Sequence, residues 1–307
     1  MWQVNTLPTV ENNQYSLPML GSVTVERLEP GQELEVLEFL AQRPIHTVAM
    51  ASFIRDNGIV SSLSRGTFYG CRDLDGQLEG VALVGHATLL ETASGRALQA
   101  LAQVAQECPD THMIMGEQKQ VEEFWEYCSK AGQKLRLACR ESLLELRWPI
   151  AVHEAVPDLH LATLNELELV MPLQGRLAFE ESGVNPMEVD PEGFRKRCLR
   201  RIEQDRTWVF LEDGKLVFKA DIISESAEVV YLEGIWLQED KRGNGYGVRC
   251  LSELSRKLLG RSKSICLLVD QTNKPAQTCY KKCGFLFRAS YETIFLSQKD
   301  RARMSVN

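Results

Sequence analysis

The sequence lacks the features that mark membrane-spanning, secreted and disulfide-linked proteins. No stretch approaches the ~20 consecutive apolar residues that a transmembrane helix needs. Residues 1–20 contain no lysine or arginine, so the parts of a secretory signal peptide are missing. The nine cysteines are scattered, and none forms a Cys-x-x-Cys pair. This usage is typical of reduced thiols in a cytosol, and we expect a cytoplasmic protein.

Histidine is absent from the second half of the sequence. All five histidines lie at or before residue 160, and residues 161–307 contain none. A Ser-His-Asp or Cys-His site built within that half alone is therefore excluded, as is a zinc site with a histidine ligand there. We expect no metal at the functional site.

The overall composition is that of an ordinary globular protein. Hydrophobic residues make up 44% and charged residues 25% of the 307 residues, and this length is typical of about two domains. The net charge of −7 and the pI near 5.5 argue against a generic nucleic-acid binder. We expect neither nucleic acid nor a membrane as a partner, and the oligomeric state stays open.

The two halves share one order of signals, each with a strand, an Asp-Gly turn and a second strand. Asp-Gly tolerates the positive φ that tight hairpins need. These segments are 67–71, 75–76 and 81–84 in the first half, and 207–211, 213–214 and 216–218 in the second. The offset is too long for a solenoid repeat and fits a duplicated domain. Because prolines interrupt the pattern around residues 148–157, we predict an irregular arm over 1–20 and two domains over 21–148 and 149–307.

The second half is predicted to alternate helices and strands, in the order α, α, β, β, β, loop, α, β, α, β, β. Val229–Leu237 is a strongly apolar strand, and the leucines that follow recur at helical spacing. Ile265–Val269 is expected to be a short buried strand, parallel to the earlier one across that helix. Residues 285–287 and 293–296 are predicted to form a final strand pair.

The strongest signal is Arg242-Gly-Asn-Gly-Tyr-Gly247, hereafter the glycine loop, between the apolar strand and the next helix. Its glycines allow a tight turn and a close approach to a ligand. The amides at the start of a helix favour anions, and Arg242 adds a charge-assisted donor. The loop therefore predicts a diphosphate site, against the alternative of a merely flexible turn. It matches neither the nucleoside-triphosphate loop nor the Gly-x-Gly-x-x-Gly dinucleotide motif.

A second signal, Asn273-Lys-Pro-Ala-Gln-Thr-Cys-Tyr280-Lys-Lys-Cys-Gly284-Phe285, follows the next strand. Its proline suits the first turn of a helix. Ala276 and Tyr280 are four residues apart and share a helix face, so a small residue lies beneath a phenol. This arrangement leaves room for a thin ligand.

These two motifs, Arg-Gly-x-Gly-x-Gly and Asn-x-x-Ala-x-x-x-Tyr-x-x-x-Gly-Phe, each after its own strand, resemble those of the GNAT superfamily of acetyl-CoA-dependent N-acetyltransferases. The close match covers about residues 229–287, and the looser match of element order covers 155–297. The resemblance implies an α/β (α+β) fold of two GNAT-like domains. Each would have a mixed, mostly antiparallel sheet with a splayed central pair of parallel strands, flanked by helices.

The resemblance also implies an acetyl-CoA site. Backbone groups of the apolar strand would pair with the pantetheine arm, and an amide there could polarise the thioester carbonyl. Amides of the glycine loop would hold the diphosphate, Asn273 would bond the pantetheine, and Tyr280 would protonate the leaving thiolate. The expected cofactor-binding residues are Ile235, Trp236, Leu237, Arg242, Gly243, Asn244, Gly245, Tyr246, Gly247, Asn273 and Ala276.

An amine acceptor must lose a proton, because a lysine-like amine titrates near ~10.4. Glu233, a carboxylate in an otherwise apolar strand, is the candidate base, directly or through a water. The alternative for Glu233 is a half-exposed residue in a salt bridge, and the alternative for Tyr280 is a packing tyrosine. Catalytic roles are thus assigned to Glu233 as general base and Tyr280 as general acid.

The first half departs from the motifs. Glu91-Thr-Ala-Ser-Gly95 has a single glycine where the loop should lie, and Cys128 falls where the second half has Tyr280. We expect this half to cover or brace the acceptor cleft. The predicted activity is transfer of an acetyl or short acyl group to a small-molecule or peptide amine. The alternatives are a non-catalytic acyl-CoA sensor and transfer to a hydroxyl.

Overall fold

The computed structural model describes residues 23–64, 66–108 and 110–297, so the predicted arm over 1–20 lies outside the described residues. The strands are β1 (Thr24–Arg27), β2 (Gly66–Arg72), β3 (Leu78–Gly85), β4 (Ala87–Thr92), β5 (Met113–Glu117), β6 (Leu135–Leu146), β7 (His160–Leu161), β8 (Thr207–Glu212), β9 (Lys215–Glu225), β10 (Val230–Leu237), β11 (Ile265–Asp270) and β12 (Leu286–Leu296). The helices are α1 (Glu33–Leu40), α2 (Pro44–Asn57), α3 (Gly95–Glu107), α4 (Gln118–Lys130), α5 (Leu167–Ser182), α6 (Pro186–Val189), α7 (Pro191–Glu203), α8 (Tyr246–Leu259) and α9 (Lys274–Cys283).

The strands form one mixed sheet in the order β1-β2-β3-β4-β5-β12-β6-β11-β10-β9-β8-β7. Strands β1–β5 come from the first half and β7–β11 from the second. At the centre the two halves exchange strands, because β6 pairs with β11 and β12 pairs with β5. Strands β6 and β12 also pair with each other, antiparallel, along most of their length. Each half of the sheet is therefore completed by a strand from the other half of the chain.

The two predicted hairpins are confirmed. Strands β2 and β3 pair antiparallel around the turn that contains Gly76, and β8 and β9 pair antiparallel around Asp213 and Gly214. All three residues have positive φ, at 80°, 50° and 72° respectively. This is the conformation that Asp-Gly turns supply at low steric cost.

The predicted final strand pair is wrong. Residues 286–296 form one long strand, β12, with an irregularity near residue 288. The polar residues that suggested a turn have partners along the strand: Arg288 donates to Glu145 at 2.7 Å, and Glu292 lies near Arg140. A strand from the other half thus stabilises a segment whose own sequence pattern is broken.

Helices cover both faces of each half of the sheet. In the first half, α3 and α4 pack on one face and α1 and α2 on the other. In the second half, α8 and α9 pack on one face, and α5 and α7 pack near its outer edge. A small apolar cluster joins the halves, with Val48 of α2 against Leu143, Tyr231 and Tyr291. Helix α2 of the first half therefore covers part of the second half's sheet.

Candidate active site

The predicted parallel pair is confirmed, and it opens into a gap. Val230, Tyr231 and Leu232 of β10 pair with Ile265, Cys266 and Leu267 of β11, and the pairing stops there. On its other edge β10 continues to pair with β9 as far as Leu237. The later part of β10 thus presents one backbone edge that no strand covers within the described residues.

A bulge shapes this part of β10. Glu233 pairs with Asp221 and Trp236 pairs with Lys219, so Gly234 and Ile235 lie opposite the single residue Ala220. Gly234 has φ of +57°, which side-chain-bearing residues rarely adopt. The bulge re-aims the strand where the resemblance expects an acyl carrier to bind.

The glycine loop connects the end of β10 to α8. Gly243 and Gly245 both have φ of +80°. The amide of Arg242 donates to the carbonyl of Glu239, and the Arg242 side chain donates to the Leu237 carbonyl at 3.1 Å. In the part of the chain that the structure describes, the five amides from residues 243 to 247 make no backbone hydrogen bond outside regular elements. They start a 14-residue helix and suit an anion.

Two cations lie over the ring of Tyr246 at the start of α8. Lys241 Nζ is 5.0 Å and the Arg249 guanidinium carbon is 4.5 Å from the ring centroid. Lys241 also pairs with Glu212, and Arg249 with Glu154. Two positive charges, each paired with a carboxylate, therefore lie beside the start of α8.

The second motif forms α9 as predicted. Asn273 caps the helix by accepting a hydrogen bond from the Ala276 amide at 3.1 Å, and Gly284 ends it in the left-handed conformation. Tyr280 is buried, and burial raises the pKa of its phenol well above the usual range. The phenol is therefore protonated at neutral pH, as a proton donor must be.

Several predicted residues are brought together on the helical face of the gap. They pack on the apolar core that contains Tyr280, and they are Ile235, Leu237, Tyr246 and Ala276. Trp236 lies apart from them, with the Arg176 guanidinium 5.7 Å from its ring centroid. The structure thus joins the loop, the strand and α9 around one gap.

Glu233 lies on the opposite face of the sheet from Tyr280. Its carboxylate accepts a hydrogen bond from the Tyr231 hydroxyl at 3.2 Å, and Tyr231 packs in the cluster that joins the halves. Burial raises the pKa of Glu233, and Arg201 only partly offsets that effect. A carboxylate with a raised pKa is a stronger proton acceptor. Glu233 and Tyr280 would therefore act from the two sides of the gap.

Two further carboxylates approach Glu233, and we call the three the acidic cleft (Glu141, Glu181 and Glu233). Glu141 comes from β6 and accepts a hydrogen bond from Thr293 at 2.7 Å. Burial, with a smaller effect from the charge of Glu233, raises the pKa of Glu141 to about 7. Glu181, at the exposed end of α5, is close enough for both charges to act on it. Three carboxyl groups with raised pKa values are thus grouped on this side of the gap.

Sequence reasoning missed Glu141, because it lies in the first half and reaches the cleft only through the strand exchange. It also missed Lys219 and Asp221 of β9, which are fully buried. Their spacing was a usable signal, since two charged residues two apart in an apolar strand share one face.

The basic run over 195–201 is largely paired: Arg195 with Glu168, Arg197 with Asp190 and Arg201 with Asp221.

The first half contains a parallel pair of its own that also opens into a gap. Strands β4 and β5 pair only from residues 87 to 89 with 113 to 115. Beyond that point Arg43, the residue before α2, bridges Glu91 at 2.8 Å and Glu117 at 2.5 Å. The turn before α3 is short, and Ser94 itself caps that helix through the Ala97 amide. The chain's own side chains therefore occupy the positions that correspond to the candidate site of the second half.

Residues 176–285 match the family model described as "Acetyltransferase (GNAT) family". No curated protein sequence matches the chain. Among the described residues, no helix combines the length and apolarity needed to cross a bilayer. No group of three or more His, Cys, Asp or Glu side chains in that part of the chain is arranged to hold a metal ion.

Solved structures with the same fold cover nearly the whole chain. A Drosophila protein from a structural genomics programme aligns with a TM-score of 0.61 at 12% identity, covering 91% of this chain and 99% of its own. A tandem GNAT protein from the clavulanic acid biosynthesis pathway aligns at 0.54 and 12%, covering 91% and 100%. A GNAT-family acetyltransferase from Colwellia psychrerythraea aligns at 0.52 and 14%, covering 89% and 100%.

The fold is therefore that of the GNAT acetyltransferases, a mixed sheet with flanking helices, as the resemblance implied. Within it, residues 176–285 of the second half are the part that is similar to the GNAT acetyltransferase family model. That similarity supports acyl transfer in general.

Proposed function

We propose that the protein is a cytoplasmic N-acetyltransferase that moves an acetyl or short acyl group from acetyl-CoA to a primary amine. The observation that carries the proposal is the gap between β10 and β11. Its mouth is bordered by the glycine loop, whose amides from residue 243 onward lack backbone partners outside regular elements in the described chain. A protonated tyrosine, Tyr280, lies in the apolar core beside it.

The residues present fit acetyl-CoA as a co-substrate. The amides of Gly243, Asn244, Gly245, Tyr246 and Gly247 would hold the diphosphate, with the Arg242 side chain beside them. The uncovered edge of β10, at Ile235, Trp236 and Leu237, would pair with the pantetheine amides. On α9, Asn273 would contact the pantetheine and Ala276 would leave space for it. Bound acetyl-CoA would supply an activated acyl group as a thioester.

The chain's own residues would manage two protons. Glu233 would accept the proton that the ammonium group loses, directly or through a water, because its raised pKa makes it a better base. Tyr280 would donate its phenolic proton to the leaving thiolate. The amine nitrogen forms the new amide bond as the thioester carbon–sulfur bond breaks, so no covalent enzyme intermediate is required.

The acidic cleft supports an amine as the acceptor. Three carboxylates within electrostatic reach of one another favour a cationic group over a neutral hydroxyl compound. Binding a cation would also lower the cost of keeping these carboxylates ionised. We infer an acceptor that is positively charged before it reacts.

We retain the boundary between residues 148 and 149 as a proposal for two duplicated domains. The second domain would be catalytic, and the first would brace the acceptor side through α2 and β6. Because Arg43 and its two carboxylates occupy the first domain's gap, we expect one acetyl-CoA per chain.

Calorimetric titration with acetyl-CoA, together with a thiol-release assay over a panel of polyamines, amino acids, aminoglycosides and lysine peptides, tests the proposal. Tyr280→Phe should keep the affinity for acetyl-CoA and lower kcat by about tenfold or more, as general-acid loss does. Glu233→Gln should do the same with an amine acceptor. The matched control is Tyr127→Phe, a tyrosine of α4 in the first half, which should leave both quantities unchanged.

Three outcomes would count against the proposal. Absence of saturable binding would show that the protein has no acetyl-CoA site. Binding without thiol release across the whole panel would favour an acyl-CoA sensor. Unchanged turnover in Tyr280→Phe would show that Tyr280 is not the general acid.

A further inference from the structure

An ionic network (Arg201, Lys219 and Asp221) is buried behind Glu233. The Lys219 side chain has no solvent exposure, and that of Asp221 is 1% exposed. Lys219 Nζ lies 2.6 Å from Asp221 Oδ2 and donates to Gln174 Oε1 at 2.7 Å. Arg201 Nη1 donates to Asp221 Oδ2 at 2.8 Å.

Such a network is an unusual way to stabilise a sheet. Burying charges is costly, and replacing a buried ion pair with packed apolar residues is often neutral or favourable for stability. Asp221 is nevertheless fully provided with partners, since Thr207 donates to its other oxygen at 2.9 Å. A network this complete at a strand interior therefore indicates a role other than stability.

The network lies directly beside the β10 bulge. Asp221 is the strand partner of Glu233, and Lys219 is the partner of Trp236. Lys219 Nζ is 3.5 Å from the Gly234 carbonyl oxygen. A Cβ added at Gly234 would lie 3.0 Å from that same nitrogen. The network therefore holds the backbone that carries Glu233 and leads into the predicted pantetheine edge.

The charges of the network also act on Glu233. Burial lowers the pKa of Lys219, and its pairing with Asp221 opposes that shift. With both cations charged, the network carries two positive charges against one negative charge on Asp221. The groups that face Glu233 are Tyr231 of its own strand, Lys219 and Asp221 of β9, Arg201 of α7, Glu181 of α5 and Glu141 of β6. Because the last two are carboxyl groups, the network supplies the cations that oppose them.

We propose that Arg201 and Lys219 are positioning residues that fix the β10 bulge and oppose the protonation of Glu233 beside two other carboxyl groups. The inference rests on the proposed function, because it gives Glu233 the task of accepting a proton. Burial raises the pKa of Glu233 most, Asp221 raises it further, and Arg201 is the largest opposing influence. Without the two cations the base would stay protonated, and therefore unable to accept a proton, up to a higher pH.

The direct test is a titration of Glu233 that needs no acceptor. Protein labelled with ¹³C at the glutamate side-chain carboxyl is titrated by NMR, and the Glu233 resonance is identified by its loss in Glu233→Gln. Arg201→Gln should raise the midpoint of Glu233 by about one pH unit, because a nearby positive charge is lost. Arg201→Lys should keep the wild-type midpoint. The Arg201 side chain is 28% exposed, so this position tolerates change better than Lys219.

Arg195→Gln is the matched control. It removes the same charge from the same helix, at an exposed residue paired with Glu168. An unshifted midpoint in Arg201→Gln, or an equal shift in Arg195→Gln, would overturn the proposal. Lys219→Met, which keeps the side-chain length without the charge, should shift the midpoint in the same direction as Arg201→Gln, and a shift in the other direction would overturn it as well.

Activity separates this inference from the proposed function. If Glu233→Gln keeps full turnover, the base assignment fails, whatever the titrations show. If Glu233→Gln is inactive and the Arg201→Gln midpoint does not move, the positioning role fails and the base assignment stands. With an active acceptor, the acidic limb of kcat/KM in Arg201→Gln should move to higher pH with the NMR midpoint.

Discussion

Gly234 shows how one residue links the network to the candidate active site. Its φ of +57° is accessible to glycine at little cost. A side chain there would also meet Lys219 Nζ, Gln174 Oε1 and Asp221 Oδ2, all within 3.4 Å. Backbone freedom and free space are therefore both required at this position.

Gly234→Ala should be clearly more destabilising than a glycine replacement that only strains the backbone. Gly214 in the β8–β9 turn has φ of +72°, and a Cβ added there would meet no atom within 4 Å, so Gly214→Ala isolates the cost of φ, about 1–2 kcal/mol. Overpacking against the network should add about 1–3 kcal/mol in Gly234→Ala. Urea unfolding measures both, and equal losses would show that Lys219 does not constrain the bulge.

The raised pKa of Glu141 should make the stability of the protein depend on pH. Its pKa is raised to about 7 in the folded protein, against about 4.5 for an ordinary glutamate. Between these values the folded state holds a proton that the unfolded state releases, so this contribution to stability is complete below pH 4.5 and is lost as pH rises through 7. The free energy of unfolding should therefore fall as pH rises, and Glu141→Gln should make that fall smaller by roughly 1–3 kcal/mol.

The measurement is the free energy of unfolding by urea at pH 5 and at pH 8. Glu122→Gln, at an exposed residue of α4, is the control and should leave the pH dependence as it is. A Glu141→Gln protein with the same decline as the wild type would show that Glu141 titrates normally in the cleft.

At the residue scale, the sequence predicted local structure correctly where the signal lies in one short segment. Pro275, Ala276 and Tyr280 lie within one short segment, and they predict the helix and the shared helix face that the structure contains. Glu141 and Arg201 reach the cleft from distant segments. No spacing in one sequence indicates that kind of proximity.

At the scale of elements, the two halves differ most in the segment between a parallel strand and the helix that follows it. In the second half, eight residues from 238 to 245 separate β10 from α8, and two of their glycines have φ of +80°. In the first half only residues 93 and 94 separate β4 from α3, and Ser94 caps the helix. The longer segment leaves the amides at the start of α8 available to an anion. In the shorter segment, the Ala97 amide at the start of α3 already donates to Ser94.

Gly245→Ala should weaken acetyl-CoA binding by about tenfold or more, since relief of the strained φ re-aims amides that would each contribute a charge-assisted hydrogen bond. Gly76→Ala is the matched control, because Gly76 has the same φ of +80° and equally open surroundings in the first half's hairpin. Calorimetric titration measures the affinity of both variants for acetyl-CoA. Equal affinities would show that the glycine loop does not contribute to binding.

Elements with a self-contained pattern were predictable, and elements stabilised by the other half were not. The hairpins, the parallel pair and helices α8 and α9 all follow from turn residues or periodicity in a short segment. Strand β12 does not, because its middle residues are polar and find their partners, Glu145 and Arg140, on β6. The strand exchange is a long-range property, and a single sequence carries no local trace of it.

For the molecule as a whole, the exchange of β6 and β12 ties the halves together. Strand β6 lies between β11 and β12, and removing either half would expose its hydrogen-bonding edges. Polar contacts add to this connection: Arg206 donates to Asp56 at 2.6 Å, and Arg136 donates to the Ser182 carbonyl at 2.6 Å. Although the two halves have the pattern of a duplication, neither has a complete sheet of its own.

We therefore expect the halves to unfold in a single transition. Leu101 of α3 and Leu254 of α8 are fully buried in separate cores, so Leu101→Ala and Leu254→Ala should each cost about 2–5 kcal/mol. Hydrogen exchange in increasing denaturant, followed in peptides from α3 and from α8, reports on each half separately. If the exchanged strands couple the halves, Leu101→Ala lowers the midpoint of the α8 peptide as much as that of the α3 peptide. Leu254→Ala likewise lowers the midpoint of the α3 peptide as much as that of the α8 peptide. Two separate midpoints, each sensitive only to its own substitution, would show that the halves fold as independent domains despite the shared sheet.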